Sequence, residues 1–104
     1  MRVIITDFAK GQIRETAKYI QGAFGKISKD NFLKDIRFTK KLIGLNPNLG
    51  IKEPLLEDMP SNHRSIVVGR LNKMVYHVVE DHIEVSAFWD MRREPGALKA
   101  PWGQ

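Results

Sequence analysis

The chain has 104 residues, and its hydrophobic content of 42% and charged content of 28% are typical of one folded domain rather than a disordered chain. The 17 basic and 12 acidic residues give a net charge of +5, which favours anionic partners such as nucleic acid or an acidic protein. The chain has no cysteine, which excludes disulfides and thiolate metal sites. No stretch approaches the roughly 20 apolar residues that a membrane span needs.

These properties predict a single domain over residues 1–104 in the cytoplasm, with an irregular tail over 94–104. The apolar run at the N-terminus is far too short for a signal peptide. The three histidines share no spacing on one element that is typical of a metal site, and nothing in the sequence indicates a cofactor.

The first quarter of the chain predicts a strand followed by a helix. Arg2 to Thr6 is β-branched and apolar, which predicts a short buried strand. Asp7 is then the predicted cap of the first helix, which ends at Gly25. Its apolar face repeats at steps of four, three and four through Ile13, Ala17, Ile20 and Phe24.

A second helix follows after about three residues, so the two are expected to form an antiparallel hairpin. Ser28 is its predicted cap, and turn residues over 46–50 end it. Its apolar stripe contains Phe32, Leu33, Ile36 and Ile43. The loop beyond it is long for a compact domain and contains several prolines, which favours a loop that is functional or held against the surface.

The last third of the chain predicts a three-stranded antiparallel meander over residues 64–70, 73–79 and 82–89. The middle strand is apolar on both faces and is therefore expected to be central. In the third strand Ile83, Val85 and Ala87 alternate with Glu84 and Ser86, which predicts one buried face. The fold class is therefore α+β, with a strand, a helical hairpin and three strands in that order.

Several short segments carry a resemblance to a known family: Ile4-Ile5-Thr6-Asp7-Phe8-Ala9, Tyr19-Ile20 with Phe24-Gly25, Pro47-Asn48-Leu49-Gly50, Glu53-Pro54-Leu55, Arg64-Ser65, Met74-Val75-Tyr76, and Trp89-Asp90-Met91-Arg92-Arg93-Glu94-Pro95. In this order they resemble the RelE/ParE superfamily of bacterial toxins. The resemblance extends over nearly the whole chain and implies the toxin of a type II (plasmid-stabilisation-type) toxin–antitoxin pair. It also implies a cognate antitoxin, of a kind often acidic, and we expect that partner to cover the first helix, the sheet groove or both.

The resemblance leaves two modes of action open. RelE-like members cut messenger RNA on the ribosome without a metal, whereas ParE-like members act on DNA gyrase and have no known catalytic residue. The Arg-Arg-x-Pro ending at Arg92 to Pro95 is more similar to the ParE branch. Whether the chain is an enzyme depends on this choice.

For the ribonuclease mode, the resemblance implies a functional cluster of one acidic and four basic residues: Glu53, Arg64, Lys73, Arg92 and Arg93. Glu53 matches the general base of the YoeB-like subgroup. Arg64 and Lys73 stand where the family carries cations for the phosphate, and Arg92 and Arg93 follow the last strand. We expect the fold to bring these positions together, because cations grouped on one face need an anion between them.

The sequence also departs from both ribonuclease patterns. It lacks the histidine and tyrosine that end YoeB-like enzymes and the C-terminal tyrosine of RelE-like ones. A lysine at position 73 holds phosphate as a point charge, where an arginine would bind it with two hydrogen bonds. His77 would replace the missing acid if its ring faced the cations, as would His63 or His82, although the last two are expected to be solvated.

Each of these residues also has an interpretation that involves no function. The arginines also suit a solvated surface, Glu53 suits a loop, His77 suits a hydrogen-bonded core position, and Trp89 suits a core or rim aromatic. Trp102 suits either a partner surface or a tail packed onto the domain. A non-toxic basic nucleic-acid-binding module and a degenerate toxin are the alternative functions.

Overall fold

The computed structural model describes residues 1–93 and confirms the predicted α+β order. Short 3-10 turns lie at Pro54–Leu56 and Met91–Arg93. The helices and strands are β1 (Arg2–Ile5), α1 (Asp7–Phe24), α2 (Lys26–Leu45), β2 (Ile51–Lys52), β3 (Arg64–Val68), β4 (Asn72–Val79) and β5 (His82–Asp90). The predicted irregular tail over 94–104, with Pro95 and Trp102, lies outside the described residues. No described helix has the combination of length and apolar character that a bilayer span requires.

The helical hairpin is tighter than the sequence predicted. Only Gly25 separates α1 from α2, and its φ of 97° lies in the region that favours glycine. Ser28 therefore does not cap α2 but lies inside it, and its hydroxyl donates to the Phe24 carbonyl. The predicted cap of α1 is also wrong by one residue, since the Thr6 hydroxyl accepts from the Ala9 N–H at 3.1 Å and Asp7 is already helical.

The five strands form one sheet in the order β1-β5-β4-β3-β2, with β4 central as predicted. β1 pairs parallel to β5, and the other neighbours pair antiparallel. β1 is therefore an edge strand whose residues alternate between exposed and half-buried, not the fully buried strand predicted for it. The two-residue strand β2 at the opposite edge was not predicted, because two residues carry no periodicity.

The hairpin packs on one face of the sheet, which we call the helical face. Its core holds most of the large buried residues of the described chain: Ala9, Ile13, Ala17, Phe32, Ile36, Ile43, Val68, Met74, Tyr76, Ile83, Val85 and Phe88. Phe24 was expected to belong to this core but is 68% exposed, and it is the last residue of α1 before the hairpin turn at Gly25.

A bulge in β5 changes which side chains reach each face. Tyr76 pairs with Val85 and Val75 pairs with Ala87, so Ser86 is an extra residue in β5. Ile83 and Val85 belong to the helical core, whereas Ala87 belongs to a second cluster on the opposite face. The predicted single alternation through Ala87 is therefore wrong beyond Val85.

The second face of the sheet is covered by residues 53–62, which we call the strap. Leu55, Leu56 and Met59 of the strap pack on Val75, Ala87 and Trp89 of the sheet. The strap begins at β2 and returns to β3, where the Glu53 N–H donates to the His63 carbonyl at 2.9 Å. The long loop is thus held against the surface, as its length and prolines indicated.

Candidate functional site

Glu53 lies at the root of the strap and is fully buried, at 0% exposure. One carboxylate oxygen is 2.8 Å from the Lys73 ammonium, and the other accepts from the Leu55 N–H at 2.7 Å, which caps the turn at Pro54–Leu56. The Lys73 side chain is itself only 12% exposed, and its ammonium lies 5.9 Å from the centre of the Trp89 ring. Glu53 and Lys73 are therefore brought together as expected, but as a buried ion pair.

Arg64 lies on the other side of the sheet from this pair. It stands opposite Tyr76, a member of the helical core, whereas Lys73 stands opposite Trp89 of the second cluster. The Arg64 guanidinium donates to the Gly50 carbonyl at 2.8 Å. It thereby secures the loop after α2, so the structure does not place it beside Lys73 in one cation cluster.

Tyr76 also forms hydrogen bonds to the loop after α2. Its hydroxyl donates to the Pro47 carbonyl at 2.8 Å and accepts from the Gly50 N–H at 2.9 Å. Burial raises the pKa of this phenol above its ordinary value. A Cβ on Gly50 would lie 2.6 Å from the Ser65 carbonyl oxygen, so the close approach of the loop to β3 requires glycine.

Two histidines stack on the strap face, and the sequence did not predict their contact. The rings of His63 and His77 lie 4.3 Å apart at an angle of 20°, and His77 Nε2 is 3.4 Å from a Glu84 carboxylate oxygen. His63 is only 4% exposed, not solvated as expected. Desolvation and the neighbouring His77 lower the pKa of His63 to about 4, against a smaller opposing effect of Glu84.

His77 does not face Arg64, because His77 lies on the strap face of the sheet and Arg64 on the helical face. His77 faces a second imidazole and a carboxylate, whereas Arg64 is bonded to the Gly50 carbonyl and Arg92 to Asp90. His82 lies at the start of β5, with Nδ1 3.5 Å from the Asp81 carboxylate. No group of three potential metal ligands is present among residues 1–93.

Arg92 and Arg93 follow β5 and are exposed, far along the chain from the strap. Arg92 forms an ion pair with Asp90, with its Nε 3.0 Å from Oδ1, and this contact holds the pKa of Asp90 below its ordinary value. A groove of about 380 Å³ separates the two arginines from α1 and is lined by Glu15, Thr16, Tyr19, Asp90, Arg92 and Arg93. Tyr19 is 63% exposed there.

The five predicted site residues thus occupy three separate places. Glu53 and Lys73 are buried under the strap, Arg64 is bonded to the loop on the helical face, and Arg92 and Arg93 border an open groove beside α1. Sequence reasoning missed the groove because Tyr19 and Thr16 face it from a helix whose apolar stripe points elsewhere. The helical spacing of Thr16 and Tyr19, at three residues apart, was the available signal.

A comparison with solved structures agrees with this architecture. No protein-family model matches the chain, and the curated proteins contain no significant match. Among the solved structures, the chain is similar to one from the chromosomal ParDE TA system from P. aeruginosa, with a TM-score of 0.71. The two share 16% sequence identity, and the match covers 86% of this chain and 95% of that chain. The chain therefore has the ParE/RelE-like fold that the sequence resemblance implied.

Proposed function

We propose that this chain is the toxin of a type II toxin–antitoxin pair and that it acts in the ParE-like manner, by binding DNA gyrase. The fold shared with a chain of a ParDE toxin–antitoxin system supports the class of protein. The burial of Glu53 supports the choice between the two modes of action.

Cleavage of RNA by transesterification needs a base at the 2′-hydroxyl, cations at the phosphate and an acid at the leaving oxygen. Glu53, the residue proposed as base, has no exposed surface, and both of its carboxylate oxygens are engaged. Lys73 neutralises that carboxylate, and Arg64 is bonded to a backbone carbonyl. These three residues therefore stabilise the strap and the loop after α2, and the proposed toxin needs no catalytic set.

Arg92 and Arg93 are left as the residues of the predicted set that contact the target. They are exposed, and the groove beside them combines both arginines and the carboxylates of Glu15 and Asp90 with the exposed ring of Tyr19. Tyrosine and arginine are among the residue types most enriched at the centres of protein interfaces. An acidic antitoxin that covered α1, as the resemblance implies, would also cover this groove and block access of the target.

Induced expression without antitoxin, followed by primer extension on a translated messenger, tests the proposal. We expect growth arrest with an intact messenger, and loss of the arrest in the Arg92→Ala, Arg93→Ala double variant. The Lys10→Ala, Lys18→Ala double variant removes the same charge from the exposed surface of α1 and should remain toxic. Codon-phased cuts in the messenger would contradict the gyrase mode, and harmless expression of the folded wild-type chain would contradict the toxin assignment.

A further inference from the structure

Four cations are exposed on one side of α2, between positions 34 and 41. Lys34, Arg37, Lys40 and Lys41 follow one another at steps of three, three and one, so they project in neighbouring directions. All four are exposed, and no carboxylate lies within 4.0 Å of their charged ends among residues 1–93. Asp30, one turn before Lys34, is already paired with Lys26 at 2.8 Å.

Three of these cations, Arg37, Lys40 and Lys41, border a groove between α2 and β1. The groove has a volume of about 490 Å³ and is lined by Met1, Val3, Arg37, Lys40, Lys41, Gly44 and Leu45, without an acidic residue. Gly44 brings the two elements together, because a Cβ there would lie 2.9 Å from the Met1 carbonyl oxygen. Neither the predicted site residues nor the groove beside α1 includes any of these cations.

Like charges grouped at this density repel one another unless an anion lies among them. We propose that this basic face of α2 binds the phosphate backbone of a nucleic acid, without regard to sequence. An acidic polypeptide is the competing occupant, which the exposed Leu45 would also accommodate.

The binding of a fluorescein-labelled DNA duplex of about 20 base pairs to the purified full chain, followed by fluorescence anisotropy at several salt concentrations, tests this proposal. The Arg37→Gln, Lys40→Gln, Lys41→Gln variant should bind at least about 100-fold more weakly at about 0.1 M salt. A plot of log affinity against log salt concentration has a negative slope. In this variant the magnitude of that slope should decrease by about 2 to 3, at roughly 0.9 for each phosphate that the variant no longer neutralises. The single Lys41→Gln variant should lower that magnitude by about 0.9.

The matched control is Lys10→Gln, Arg14→Gln, Lys18→Gln, which removes the same charge from exposed positions on α1. The affinity of this control for the duplex should stay within about twofold of the wild-type affinity, because its phosphate contacts on α2 are intact. An equal loss of affinity in both triple variants would overturn the proposal and attribute binding to net charge. It would also be overturned if the wild type failed to bind the duplex, or if it bound a poly-glutamate peptide more tightly and lost that binding in the α2 variant.

Discussion

The two faces of the sheet are covered in different ways. On the helical face, two amphipathic helices cover a continuous apolar core, and its main polar member, Tyr76, is hydrogen-bonded at its hydroxyl. On the strap face, a loop without regular structure, apart from one 3-10 turn, covers a smaller cluster. That smaller cluster lies beside a buried ion pair and a stacked pair of histidines.

The difference shows where ionisable residues become structural. A helix satisfies its own backbone groups, so the side chains beneath it need only be apolar and fit together. A strap leaves backbone donors unpaired at its ends, and Glu53 meets this need by accepting from the Leu55 N–H. The carboxylate is then buried and requires Lys73 as its counterion. Residues that match catalytic positions in sequence can therefore stabilise a loop.

The Lys73→Met variant should have the largest effect on stability. It removes the counterion and leaves the Glu53 carboxylate buried and charged, which we expect to destabilise the fold by about 3 kcal/mol. Urea unfolding followed by circular dichroism measures the change. The Glu53→Gln, Lys73→Met double variant should recover part of the loss, because no charge remains to be buried. A loss below about 1 kcal/mol in the single variant would indicate that water reaches the carboxylate.

The Tyr76→Phe variant probes the helical face in the same way. It leaves the Gly50 N–H and the Pro47 carbonyl without their partner, at an expected cost of about 2 kcal/mol. Tyr19→Phe is the matched control, since Tyr19 is 63% exposed and should change the free energy of unfolding by less than about 0.5 kcal/mol. Equal effects of the two variants would mean that the hydroxyl of Tyr76 does not hold the loop.

Acid should lower the free energy of unfolding through His63, on the strap face. The folded-state pKa of His63, about 4, lies below its ordinary value of 6.5, so the unfolded chain binds more protons between these values. The stabilising contribution of neutral His63 is therefore complete above pH 6.5 and is lost as the pH falls towards 4. We expect the free energy of unfolding to fall by about 2 to 3 kcal/mol over this range, because each unit of pKa difference corresponds to about 1.4 kcal/mol.

Urea midpoints measured from about pH 7.5 down to about pH 4.5 follow this loss. His63→Phe keeps a ring against His77 without a titrating group and should flatten the profile, whereas the control His82→Gln should retain the wild-type slope. A steep profile that persists in His63→Phe would assign the acid sensitivity to other groups.

The smallest effect on stability is expected from Arg92→Ala. Its ion pair with Asp90 is exposed, so solvent and salt screen it and the melting temperature should stay unchanged within error. Toxicity should nevertheless fall, because the proposed role of Arg92 lies in contact with the target. A variant that remained fully toxic would remove Arg92 from the target surface, and measuring both properties on one preparation separates the two roles.

The sequence predicted the helical face well. Steps of three and four placed Ile13, Ala17 and Ile36 in the core, and alternation placed Ile83 and Val85 there. The strap face was predicted less well: Glu53 and Lys73 were expected to lie together, but not as a buried ion pair, and the stacking of His63 on His77, 14 positions away, was not predicted. Nothing local in the sequence specifies such pairs.

The β-bulge at Ser86 is a second feature that the local sequence pattern does not specify. One extra residue moved Ala87 to the opposite face, and a period of two gives no sign of such an insertion. The candidate site was predicted as one cluster because the resemblance supplied positions along the chain without the face on which each lies. The register of β3, β4 and β5 then separated Arg64 from Lys73.

The supercoiling of relaxed plasmid by purified DNA gyrase tests the central claim most directly. Wild-type toxin at increasing concentration should inhibit supercoiling, and the Arg92→Ala, Arg93→Ala variant should not, although both melt at the same temperature. Undiminished supercoiling at a large excess of folded wild-type toxin would contradict the proposed mode of action.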